Sequence, residues 1–331
     1  MELYDIQQNS SDDIKASLNY MKQIDLDIMY YTELSKLSPN FELLIILYEF
    51  GITKPKINLI TELNLIIKNE SNNCYYDTIL HKAVRNNRCD LIDKISRMGG
   101  ININAKDSSG ETALNIAIYN NNINIVTKLL DNQTCSTEDG YGYHNGMLAI
   151  HIAIKNNCSI DIIKKIIEVG AKLTYICENK NILDFTKYYY NNCNYNELIN
   201  IIKAELNSIL IYEIDKPLLN QSNVIKLLNA GADIDSYNSS NNTILHKAIQ
   251  EGSNNDFIKK ILIKEYKADL SIKNSSGETP LFIAVKNNNK DIVELLIKTN
   301  LKQTKNYNKE SPLDIAKHNK FNDIIKLLEN N

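Results

Sequence analysis

Residues 107–130 read DSSGETALNIAIYNNNINIVTKLL, and residues 274–296 read NSSGETPLFIAVKNNNKDIVELL. Each opens on a Gly-Glu-Thr turn. A short apolar segment follows with alanine at a fixed place, Ala117 or Ala284, then a polar Asn-Asn-Asn break, then a segment with an Ile-Val-x-x-Leu-Leu pattern. A threonine before an apolar run is a helix-start signal, and apolar residues at such spacing share one helical face. A lone helix pair cannot bury that face, whereas copies stacked side by side can. A repeat period in the thirties therefore predicts a stacked helical array.

Aligning the small residue of each first helix extends the pattern. Ala83, Ala117, Ala153, Thr186, Ala248, Ala284 and Ala316 are separated by steps of 34, 36, 33, 62, 36 and 32 residues. The step of 62 is close to two periods, so a worn repeat is expected between Thr186 and Ala248. Its first helix is placed within residues 205–214 and its second within residues 223–229.

The motifs around these markers carry a specific resemblance. Thr78-Ile-Leu-His81-Lys-Ala83, Thr243-Ile-Leu-His246-Lys-Ala248 and Thr279-Pro-Leu-Phe-Ile-Ala284 resemble the T-P-L-H-x-A signature of ankyrin repeats, with weaker copies ending at Ala153 and Ala316. Gly170-Ala171, Gly231-Ala232-Asp233 and Lys267-Ala268-Asp269 resemble the end of the family's second helix. The resemblance covers roughly residues 74–331. It implies an all-α ankyrin-repeat solenoid of about eight helix-turn-helix repeats with hairpin loops, preceded by an N-terminal helical cap and degenerate repeats over residues 1–73. The family has glycine four residues after the marker alanine. Gly252 fits, while Asn87, Asn121, Asn157 and Asn288 occupy the other sites; asparagine is the non-glycine residue that best tolerates the left-handed conformation.

Composition narrows the function class. Of 331 residues 43% are hydrophobic and 23% charged, and 37 basic against 40 acidic residues give a formal net charge of -3. That balance gives no electrostatic case for nucleic acid or an anionic membrane. No apolar run approaches the roughly 20 residues that span a bilayer. The first residues lack a signal-peptide pattern. Six cysteines at irregular gaps form no C-x-x-C, which points to reduced thiols and a cytoplasmic setting.

Nothing in the chain reads as catalytic, cofactor-binding or metal-binding. His81, His151 and His246 stand at the family's histidine, where the side chain supports the turn. His144 and His318 lack ligands at metal spacing, and phosphate-loop, G-x-S-x-G and H-E-x-x-H motifs are absent. The expectation is a non-enzyme that binds one or more proteins.

In the family's geometry the positions just before and two after the marker alanine face the concave binding side. The named contact residues are Lys82, Arg85, Tyr119, Lys155, Phe185, Tyr188, Gln250 and Lys286, with hairpin tips at Lys106, Asp107, Tyr175, Tyr237, Asn238, Lys273 and Tyr307. Residues 119–188 are the principal zone, flanked by the long 131–147 connection and by three consecutive tyrosines at 188–190. Worn repeats and an Asn/Ile/Lys bias resemble ankyrin proteins of poxviruses and intracellular bacteria, which implies a modulator of host proteins in the host cytoplasm. Two alternatives stand beside it: a cullin ubiquitin-ligase adaptor using an F-box-like segment at residues 37–50, and an endogenous cytoplasmic scaffold. The sequence leaves the oligomeric state open.

Overall fold

The computed structural model describes residues 78–97, 102–107, 109–132, 134–138, 146–259, 265–299 and 304–330. The expected N-terminal cap, the F-box-like segment and most of the long connection, residues 139–145, lie outside them. The described residues form helices joined by turns, with only three isolated β-bridges. The chain divides into two compact units, Met1–Lys172 with Tyr188–Asn192, and Leu173–Lys187 with Cys193–Asn331.

In the first unit, helix pairs repeat as α1 (Ile79–Arg85) and α2 (Cys89–Arg97), α3 (Ala113–Tyr119) and α4 (Ile123–Leu130), α5 (Ala149–Lys155) and α6 (Ile160–Glu168). First helices pack on first helices (α1 on α3, α3 on α5), and second on second (α2 on α4, α4 on α6). Ala83, Ala117 and Ala153 are buried in the first layer, where a larger side chain would overpack the stack. Ile125, Leu129, Ile163 and Ile166 fill the second. That layer is also linked by ion pairs from one repeat to the next, Lys128 with Asp93 and Lys165 with Asp131 at 3.0 Å.

The Asn-Asn-Asn break gives each asparagine a different job. Asn120 ends α3 with its N–H bonded to the Ile116 carbonyl, while the Asn121 N–H takes the Ile118 carbonyl. Asn121 turns the chain at φ 51°, in the left-handed region. Asn122 starts α4, its side-chain oxygen accepting the Ile125 N–H at 3.2 Å. Asn287, Asn288 (φ 54°) and Asn289 repeat this between α11 (Pro280–Lys286) and α12 (Lys290–Ile297). Asn87, Asn157 and Gly252 also have positive φ, as the expectation for that position required. Three of these left-handed asparagines also reach the following repeat, Asn87 accepting from the Asn122 amide at 2.7 Å, Asn121 the Ser159 N–H at 2.9 Å and Asn157 the Asn191 N–H at 2.6 Å.

Thr78 and His81 cap α1 reciprocally. The threonine oxygen accepts the His81 N–H, and His81 Nδ1 accepts the Thr78 N–H at 3.2 Å. Nε2 lies 3.0 Å from the Glu111 carbonyl of the next repeat. A carbonyl can only accept, so Nε2 carries the proton and Nδ1 is the acceptor. Thr243 and His246 at the start of α10 (Ile244–Gln250) repeat the arrangement against the Glu278 carbonyl. At α5 the cap position is Leu148, which has no hydroxyl, so the fully buried His151 cannot make the same reciprocal bond.

The second unit corrects one expectation. The first helix placed in residues 205–214 is part of one continuous helix, α8 (Tyr195–Asp215), 21 residues long. Leu198, Ile202, Leu206 and Leu210 recur every fourth residue along its buried side, and no glycine or proline interrupts it. The hairpin expected between two helices is therefore absorbed into helix, which accounts for a step of 62 rather than a full double period. The chain then turns into α9 (Gln221–Ala230), which ends at Gly231 with φ 103°. A Cβ on Gly231 would come within 2.4 Å of the Leu183 terminal methyl, which would have to shift, and the left-handed conformation itself selects glycine. Beyond it α8 packs on α10, α10 on α11, and α11 on α13 (Pro312–His318); α12 packs on α14 (Asn322–Glu329).

Candidate functional site

Helix α3 buries Ala113 through Ile118 and leaves its last residue outside: Tyr119 is 62% exposed. Lys155 is the last residue of α5, the neighbour of α3, and is half-buried. Tyr188, near the end of α7 (Ile182–Tyr189), is 66% exposed. Each of the three stands two residues after its marker, so they share one register on successive first helices.

The three consecutive tyrosines divide the work of holding this surface. Tyr190 is buried and donates its hydroxyl to the Cys158 carbonyl at 3.3 Å, while the neighbouring Asn191 N–H is held by Asn157. Tyr189 lies with its ring centroid 5.0 Å from Lys155 Nζ. Tyr188 meets Tyr189 edge-on at 4.7 Å between centroids. The arrangement offers aromatic area, phenol hydroxyls and an ammonium group, which suits recognition rather than bond-making. Cys158, the thiol closest to this surface along the chain, donates to the Ile118 carbonyl, and burial pushes its pKa up to about 11, so it stays a neutral thiol.

The remaining named residues fall into different settings. Phe185 is a correction: it is 0% exposed and packs inside. Ile116, Ile152 and Ile283, which share its place just before the marker, are buried too, so the apolar members of this row are core, whereas the row two residues after the marker looks outward. Lys82, also just before the marker, is half-buried. Arg85 is bound to the carboxylate of Asp107, itself buried. Gln250 is exposed, and Lys286 pairs with Glu278 at 2.8 Å.

The hairpin tips show a matched exchange of charge. Asp107 closes its turn by accepting the Ser109 and Glu111 N–H groups on one oxygen and takes Arg85 on the other. Asn274 and Asn306 occupy the same place in later tips. Each carbonyl oxygen closes the turn, and each amide donates instead to a glutamate, Glu278 or Glu310. Asn238 does likewise toward Asp215. An aspartate here requires a cation beside it; an asparagine accommodates an anion. Tyr175, Tyr237 and Tyr307 are exposed at the tips.

A family model described as ankyrin repeats, three copies, matches residues 56–139, 80–177, 217–305 and 253–331. The chain belongs to the ankyrin-repeat family. An ankyrin repeat protein of Acanthamoeba polyphaga mimivirus is 26% identical over 188 residues, covering 55% of this chain and 24% of its own length. The chain thus spans about a quarter of that curated relative. Among solved structures, the ankyrin repeat domain of Bcl-3, a member of the IkappaB protein family, is 21% identical, with 78% of this chain and 92% of that one covered at a TM-score of 0.36.

Within the ankyrin pattern, the departure at Thr186 is absorbed locally. Its hydroxyl donates to the Ile182 carbonyl one turn back at 2.7 Å, so threonine sits fully buried in the alanine slot with its polar atom satisfied. Tyr189 was absent from the named contact residues. The triple tyrosine was visible in sequence, but which ring would face Lys155 depends on how α5 and the end of α7 approach. Among the described residues no cluster of three or more histidine, cysteine or acidic side chains is placed to hold a metal ion, and no helix is long and apolar enough to cross a membrane.

Proposed function

We propose that this ankyrin array is a protein-binding module whose principal contact surface is the first-helix row of the first unit, Tyr119, Lys155 and Tyr188. The observation that supports it is the exposure of two tyrosines, 62% and 66%, on helices whose other apolar residues are buried or half-buried. Tyrosine gives large contact area at low entropic cost and is enriched among residues that dominate binding energy. The likeness to a mimivirus ankyrin repeat protein favours a virus-encoded setting, in which the partner is a host protein.

The test is the full-length double variant Tyr119→Ala/Tyr188→Ala, used as bait in co-purification from host cells. It is expected to lose the partner that the wild type retains, since truncating a hot-spot residue costs about 2 kcal/mol or more, while its melting temperature stays put. Lys128 and Lys165 are unsuitable controls because both are in ion pairs between repeats. Glu168→Ala, exposed at the end of α6, is the neutral comparison. Retention of the partner by the double variant would move the binding surface elsewhere. Cullin-complex subunits in the eluate would favour the adaptor reading.

A further inference from the structure

We propose that the second unit carries a docking surface of its own, where α8 ends against the tip before α10, and that its partner is a protein segment combining apolar side chains with lysine or arginine. It shares no residue with the first-unit row and does not rest on that reading. Three large hydrophobic side chains stand out of the protein here: Tyr212 is 64% exposed, Leu218 78% and Tyr237 57%. They gather round one contact, in which the Asn238 amide donates to Asp215 Oδ1 at 2.7 Å. Tyr212 lies about one turn before Asp215 on the same side of α8. Leu218 follows three residues after Asp215, and Tyr237 adjoins Asn238. An exposed apolar patch with a polar rim marks an interaction site. This one is also held in place. Lys216 leaves α8 in an extended conformation, Pro217 fixes the next backbone angle, and the Leu219 N–H is held by Glu251 Oε2 at 3.0 Å. A segment fixed in this way loses little freedom when it is covered.

The charge around the patch selects the partner. Asp215, Asp233, Asp235 and Asp269 each use Oδ1 within the protein, accepting from the Asn238 amide and from the N–H groups of Asp235, Asp269 and Ser271 respectively. Among the described residues none of the four forms an ion pair, and Oδ2 of each has no partner. Their loops are joined to α8 and to one another, since Asn207 accepts the Asp233 N–H at 2.8 Å and Asp235 the Asp269 N–H at 2.8 Å. The cations of the same stretch are taken up elsewhere. Lys216 is bound to the buried Glu213 at 2.6 Å, Lys247 to Glu251 at 2.8 Å, and Lys273 to the Lys305 carbonyl at 3.0 Å. Lys203, on α8 before Asn207, and Lys267, in the loop before Asp269, pair with none of the four. Asp235 registers the imbalance: burial raises its pKa, the Asp269 N–H lowers it in part, and the charges of Asp233 and Asp269 raise it again. An apolar centre rimmed by carboxylates without ion-pair partners is complementary to a basic, apolar segment, and it repels nucleic acid and anionic lipid.

The experiment is selection of a displayed random dodecapeptide library on the full chain, after depletion on the full-length variant Tyr212→Ala/Leu218→Ala/Tyr237→Ala. All three side chains are exposed, so that variant is expected to melt with the wild type; if it melts lower, Leu218→Ala alone serves for the depletion. The expected result is recovery of peptides that combine lysine or arginine with apolar residues. For such a peptide Leu218→Ala weakens binding about tenfold. Asp215→Asn/Asp235→Asn also weakens it about tenfold, because asparagine keeps the oxygen that accepts each loop hydrogen bond and removes only the charge. Raising the salt from about 0.1 M to about 1 M weakens the wild type more steeply than that double variant, a difference that a structural role for the aspartates would not produce. Tyr119→Ala/Tyr188→Ala binds the same peptides as the wild type does, so failure here and failure of the first-unit row are read separately. No recovery, recovery without basic residues, indifference to Leu218→Ala, or equal salt dependence in the wild type and the asparagine variant each overturn the proposal. So does a wild-type dimer that Leu218→Ala dissociates, which assigns the patch to a second copy of the chain.

Discussion

Residues with the same name at the same place in two repeats do not contribute equally. Asn121 and Asn288 both turn the chain at positive φ, a conformation in which glycine has no steric penalty. Asn121 also accepts the Ser159 N–H of the next repeat, whereas among the described residues the Asn288 carboxamide has no such role. Asn121→Gly is therefore expected to destabilise by about 1 kcal/mol, the net worth of one hydrogen bond, and Asn288→Gly to stay within about 0.5 kcal/mol of wild type. Chemical denaturation of the two variants checks this; equal effects would show that the Ser159 contact contributes nothing. His246 offers a second test at this scale. Burial lowers its pKa from 6.5 and outweighs its hydrogen bond to the Glu278 carbonyl. The folded state thus binds the proton less readily than the unfolded one. The stability that depends on neutral His246 is complete above the unfolded value of 6.5 and is lost progressively as the pH falls below it. Unfolding midpoints measured from pH 8 to pH 5 should fall more steeply in the wild type than in His246→Gln.

At the scale of elements, most of the array follows from local rules: a cap, a seven-residue helix, a left-handed turn, a second helix. Helix α8 breaks that rhythm. Residues 195–215 contain no glycine or proline, and their buried positions fall every fourth residue throughout, so a single helix satisfies all their backbone groups at once. Two short helices with a hairpin would need turn residues that this stretch lacks. Ser208→Pro, on the exposed side near the middle of α8, is expected to cost about 3 kcal/mol or more, because proline removes a helical hydrogen bond and clashes with the preceding turn. A variant that unfolds at the wild-type denaturant concentration would mean that the helix is interrupted there.

Across the whole molecule, the repeat signature alone was enough to fix the fold class, because each marker alanine, capping threonine and turn asparagine acts within a few residues of itself. The left-handed turns at Asn87, Asn121, Asn157 and Asn288 could be read in advance for the same reason: the conformation is local and few residues tolerate it. The binding row was legible only in part. Tyr119 and Tyr188 are exposed as the register implied, but Phe185 is core, because burial at that place depends on the packing of neighbouring helices. The pairing of Asp107 with Arg85 was equally hidden, since it depends on what lies opposite. Among the described residues outside α8, the sequence by itself determined which segments are helices, where most turns fall and that copies must stack. Tertiary structure decided which ring lies beneath Lys155 and which charges meet across repeats, because those contacts join residues about 20 to 35 positions apart, whose separation is set by packing rather than by local propensity.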